Sequence, residues 1–68
     1  MTDLRSISND ELENRINALP VWNYDLLHEL CRRADFLQDG ILEAFEEAEP
    51  EEVETVAYTA AKILGVQI

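Results

Sequence analysis

Cysteine occurs once in this sequence, at Cys31, and histidine once, at His28. An internal disulfide is therefore excluded, and one thiol with one imidazole cannot complete a structural zinc site. Glycine and proline are nearly as scarce, at two residues each, so most of the chain consists of good helix formers. There is no glycine-rich phosphate loop, and "DFLQDGILE" lacks both the length and the alternating oxygens of an EF-hand loop. No apolar run approaches the roughly 20 residues that span a bilayer. The opening "MTDLRSISND" has no apolar core of a signal peptide, so the expectation is a soluble, cytoplasmic protein.

Positive charge is the remaining scarcity. Arg5, Arg15, Arg32, Arg33 and Lys62 stand against fifteen acidic residues, a net charge of −10. Nucleic acid and anionic membrane would repel such a chain, so neither is expected to bind directly. The charge favours basic proteins as partners, or serves solubility alone.

A chain of 68 residues holds one domain, 1–68, and buries only about 60% of its unfolded surface. With no disulfide and no metal to help, self-association is the stabilising device left to it. The hydrophobic fraction of 47% still argues for a folded object.

The sequence reads as all-α. In "ISNDELENRINAL", Ser8 and Glu11 have the spacing of a capping box, with Ile7 and Leu12 as a hydrophobic staple. Leu12, Ile16 and Leu19 then line one face of a helix over about 8–19, which Pro20 ends. Asn23 can cap the next helix. There Leu27, Leu30, Ala34, Leu37, Ile41, Ala44 and Ala48 recur in alternating steps of three and four. The phase survives "DG" at Asp39 and Gly40, which predicts one long central helix over about 23–48 with a coiled-coil-like seam. Two helices, the second capped by Asp39, are the alternative. Pro50 suits the first position of a final helix over about 50–64, and Gly65 suits its end.

The long seam is wider than its two short neighbours can cover, so the reading predicts a homodimer that pairs through Leu27, Leu30, Ala34, Leu37 and Ile41. The acidic stretch "EAFEEAEPEEVE", Glu43 to Glu54, is not a tail. It closes one helix, turns at Pro50 and opens the next. Glu51, Glu52 and Glu54 suit the positive start of the last helix, whereas Glu46, Glu47 and Glu49 lie where the dipole prefers cations.

Chemistry is thinly represented. His28 and Cys31 are three apart on a helix, but no orienting group or oxyanion site accompanies them, and Cys31 falls beside the apolar seam. No enzyme, cofactor or metal is expected. Phe36 is the informative aromatic. It lies opposite the apolar arc among Asp25, Glu29, Arg32, Glu43 and Glu47, with Gly40 one turn on. An aromatic inside a polar rim is the anatomy of a binding hot spot. The expected function is that of a small adaptor, regulator or inhibitor that binds another protein through Phe36, Glu43, Glu46, Glu47 and Glu51. The alternative is a nucleic-acid mimic whose acidic face blocks a basic groove. No motif in the chain points to a family, although small acidic helical proteins are frequent among phage and mobile-element accessory factors.

Overall fold

Ser8 starts the first α-helix as the capping pattern requires: its Oγ accepts the Glu11 N–H at 3.1 Å. The structure, a computed structural model describing residues 4–68, places this helix (α1) at Asn9–Ala18, after a 3-10 turn at Leu4–Ser6. Leu12 and Ile16 are fully buried. The capping box is only half made, since the Glu11 carboxylate reaches forward to Arg15 Nε at 3.0 Å. Helix α2 spans Tyr24–Asp35, and its cap Asn23 accepts from the Asp25 and Leu26 N–H groups.

The chain then departs from the continuous helix that the seam spacing predicts. Helix α2 stops at Asp35, and a separate α3 occupies Ile41–Glu47. Two local facts produce the break. Gly40 takes φ +99°, a left-handed conformation that glycine alone adopts without strain. The Asp35 carboxylate crosses the turn and accepts the N–H groups of Gly40 at 2.9 Å and Leu42 at 3.2 Å. Asp35, not Asp39, therefore satisfies the start of α3. Size agrees: an unbroken helix of 23–48 would be about 39 Å long, whereas the largest dimension of the molecule is 27 Å.

Folding α3 back also changes which of its residues face inward. Ile41 and Phe45 are buried and Ala44 is exposed, because Phe45 brings far more apolar surface to the core than Ala44 could. Helix α4 covers Pro50–Leu64, with Pro50 in its first turn, and ends on Gly65 at φ +77°. Val66 N–H returns to the Ala61 carbonyl at 3.0 Å, which turns the Val66 side chain into the core. Ala57, Ala60 and Ala61 form the buried face of α4, and their small side chains let it pack closely on α2. Segment 66–68 is not a loose trailer. Asn17 donates to the Gln67 carbonyl at 2.9 Å, and the Gln67 N–H donates to Glu13 at 3.1 Å.

Helix α2 is thus the hub, with α1, α3 and α4 packed around it. Leu27, Leu30, Ala34 and Ile41 lie inside this single chain, in one core with Leu12, Ile16, Leu26, Cys31, Phe45 and Ala57. The seam that predicts pairing between copies is covered within one copy. Leu37 alone of its five named residues remains outside.

Glu29 is the one charged residue in the interior among those described, at 5% exposure. Arg32 meets it in a fork, Nε to Oε1 at 2.8 Å and Nη2 to Oε2 at 2.7 Å, and Arg33 Nε adds a third bond at 2.7 Å. Arg33 then reaches across to the N-terminal segment. Its Nη2 donates to the Leu4 and Ile7 carbonyls at 2.8 and 2.7 Å, and its Nη1 to Asn9 Oδ1 at 2.8 Å. No buried side-chain polar atom is left unpaired among the described residues.

The hydrogen bonds from Arg32, with the second arginine beside them, outweigh burial and hold the Glu29 carboxyl at about 2, against its usual 4.5. A lowered pKa means that the folded state favours the charged form. Its contribution is complete above about pH 4.5 and is lost as pH falls through about 2, a shift on the order of 3 kcal/mol. We expect the stability gap between the wild type and Glu29→Gln to be largest near pH 6 and to narrow steadily below about pH 4.5. Urea unfolding followed by circular dichroism across that range measures it. A gap that stays constant down to about pH 2 would contradict the assignment.

Candidate functional site

The break after α2 creates the surface of greatest interest. Residues 36–40 are the turn itself, and all five are exposed. Phe36 is 78% exposed and Leu37 69% exposed, with Val21 the most exposed large apolar residues among those described. Neither contributes to the core. The Phe36 N–H returns to the end of α2, at the Arg33 carbonyl, and Leu37 N–H to the Ala34 carbonyl at 2.9 Å, so the backbone beneath both side chains is fixed. The Arg32 guanidinium carbon stands 5.5 Å from the centre of the Phe36 ring. That arginine is itself locked on Glu29, so the ring rests against a held cation.

Beside this apolar ledge is a hollow of about 430 Å³, lined by Asp35, Asp39, Gly40, Leu42, Glu43, Glu46 and Glu47. Five of these seven are acidic, and no lysine or arginine lines it. The structure therefore brings Glu43, Glu46 and Glu47 together, on α3, and adds Asp35 and Asp39 from the turn. Glu51 does not line the hollow; it is exposed in the first turn of α4. Among the described residues, no group of three or more His, Cys, Asp or Glu has the geometry to hold a metal ion.

Spacing between residues is what the sequence could not supply here. Phe36 is outward-facing whether or not the helix continues, because it lies opposite the apolar arc. Leu37 belongs to the seam by its spacing, and only the break at Gly40 releases it to the surface. Asp35 and Asp39 join the acidic group for the same reason. A second surface was not visible in the spacing at all. The connector of residues 20–23 and the start of α4 form an apolar cleft of about 420 Å³ around Trp22.

The His28 and Cys31 pair resolves as packing. Cys31 is fully buried, and burial pushes its thiol up to about 12. It is a neutral, small hydrophobe at physiological pH. His28 lies half-buried beside the Tyr24–Phe45 ring pair, 6.1 Å from each ring centre. No helix among the described residues is long and apolar enough to cross a membrane.

Reaction of Cys31 with an aromatic disulfide reagent at about pH 8 should be slow in the native protein and immediate in denaturant, because attack needs an exposed thiolate. The native rate should follow global unfolding, rising with urea in proportion to the unfolded fraction. Rapid labelling without denaturant would mean that the α2 core opens locally. Comparison of the chain with known protein families, with curated proteins and with solved structures finds no match, so its function has to be argued from the geometry of this surface.

Proposed function

We propose that the protein is a non-enzymatic binding module: a small acidic helical regulator, adaptor or inhibitor that docks on another protein through the Phe36–Leu37 ledge and the hollow beside it. The observation that carries this reading is the paired exposure of Phe36 and Leu37 on a backbone that hydrogen bonds hold still. Two large apolar side chains kept in water cost solvation free energy and do nothing for the core. An aromatic presented on a rigid base loses little conformational entropy when it is buried by a partner.

Electrostatics selects the partner. A second copy of this chain would bring another −10 to the same surface, whereas a cationic protein meets the acidic hollow with complementary charge and a faster approach. The partner in this reading presents an apolar pocket for Phe36 flanked by lysine or arginine. A nucleic-acid mimic is the second reading, favoured by one observation: five carboxylates gathered on adjoining elements with no cation among them. The two separate on salt dependence, which is steep where charge supplies the affinity and shallow where the ledge does.

Phe36→Asp distinguishes a binding ledge from a structural one. Its helical content and urea midpoint should stay near wild type, within about 1 kcal/mol, since the change falls on a solvated turn. Recovery of partners by the tagged protein from its native cell extract should drop sharply, by about 30-fold in affinity or more, as for a central aromatic anchor. Unchanged recovery, with binding lost instead in a Glu43→Gln, Glu46→Gln, Glu47→Gln variant, would transfer the function to the acidic hollow and favour mimicry. Unchanged recovery in both variants would overturn the proposal.

A further inference from the structure

The cleft at the other end of α2 is only partly explained by the fold: Leu27 belongs to the core and Trp22 and Val53 pack against it, but the rest of the lining stays open. Its lining is Pro20, Val21, Trp22, Tyr24, Leu27, Pro50, Val53 and Glu54, in a volume of about 420 Å³. Seven of the eight are apolar or aromatic, and the eighth is a carboxylate. Trp22 closes onto the core, but a cleft built only for that purpose would bury Tyr24 and Val21 as well. Here Tyr24 is 56% exposed and Val21 76% exposed. The rings are also held in place. Trp22 and Tyr58 meet edge to face, centres 5.2 Å apart at 70°, and Tyr24 packs against the buried Phe45 ring at 5.0 Å.

Aromatic faces present negative potential to whatever lies over them, so an open cleft walled by Trp and Tyr attracts positive charge. Glu54 adds a full negative charge on the same wall. Among the residues lining the cleft there is no lysine or arginine to neutralise it. The apolar remainder (Val21, Leu27, Val53 and the two prolines) rejects a compact, strongly hydrated ion. It suits a cation whose charge is wrapped in methyl groups, which loses little hydration on entry. The size is within the range of small-ligand sites, about 300–1,000 Å³.

From this juxtaposition we propose that the Trp22–Tyr24–Glu54 cleft is a binding site for a methylated ammonium group. The rings and the apolar wall receive the methyl groups, and Glu54 supplies the counter-charge. The site is independent of the Phe36 ledge, which lies beyond the opposite end of α2, and either could exist without the other. The same head group can arrive free, as in choline, or on a peptide, as in trimethyllysine.

Trp22 is the chain's only tryptophan, so its emission reports the cleft directly. Choline should change that emission saturably at constant ionic strength. The neutral carbon analogue of choline, with a tert-butyl group in place of trimethylammonium, should bind at least about 5-fold more weakly, as expected for a partly solvated cation–π site. Glu54→Gln should weaken choline by a similar factor, while Asp10→Asn, which removes the same charge from α1 outside the cleft lining, should not. Both positions are solvent-exposed, so both variants should fold. A short peptide carrying trimethyllysine, titrated in parallel, shows which source the cleft prefers; tighter binding of either form supports the site. Equal affinity for choline and its neutral analogue would overturn the proposal, as would a saturable response indifferent to Glu54 or no response to choline and the peptide alike.

Discussion

The whole arrangement turns on a carboxylate that is almost wholly withdrawn from water. Glu29 lies inside the molecule on α2, and a buried carboxylate without partners would cost several kcal/mol. Arg32 and Arg33 remove that cost between them, and Arg33 spends its remaining donors on Asn9 and the carbonyls of Leu4 and Ile7. One ion cluster thereby holds both ends of a long-range contact: the central helix, and the segment that leads into α1. The other clamps are smaller: Asp35 accepts two N–H groups across the turn before α3, and Gln67 makes one bond each with Asn17 and Glu13. A domain this small has a stability on the order of 3–10 kcal/mol, so removing one partner of a buried pair, at about 3–5 kcal/mol, would take a large share of it.

The cluster also has a consequence at the surface. Arg32 is fixed on one side by Glu29, and its guanidinium lies under the Phe36 ring. The interior carboxylate and the exposed aromatic are therefore two ends of one chain of contacts. With both arginines of α2 drawn to Glu29, the acidic hollow beyond Phe36 has no cation in its lining. The internal ion pairing leaves the external charge unbalanced, and that imbalance is what a cationic partner would meet. The turn at Gly40 does the rest by lifting Leu37 out of the seam.

Local signals in the sequence were sufficient for α1 and α4. Ser8, Pro50 and Gly65 act within a few residues of where they stand, and the helices begin and end beside them. The break between α2 and α3 was not legible from periodicity, because Ala34, Leu37 and Ile41 keep a helical spacing that a folded-back segment happens to share. The decisive groups were Gly40, which can take a positive φ, and Asp35, whose carboxylate caps a helix it does not belong to. Glu29 was harder still. Its neighbours Arg32 and Arg33 sit at the spacing of ordinary surface pairs, and nothing local says that Leu4 and Ile7 will come to cover them. The dimer seam shows the same limit: the apolar arc on α2 was real, and α3 and α4 of the same chain cover it.

The most direct measurement of this account is a double-mutant cycle on Glu29 and Arg33, with urea unfolding of the wild type, Glu29→Gln, Arg33→Met and the double variant at neutral pH. If the buried cluster organises the fold, the two losses are strongly non-additive, with a coupling of about 2 kcal/mol or more, near the upper end for contacting residues. The double variant should then lose less than the two single losses combined, since either change alone already removes the Arg33–Glu29 bond. Additive losses, with a coupling under about 0.5 kcal/mol, would mean that Glu29 and Arg33 stabilise the protein separately and that the cluster is not its centre.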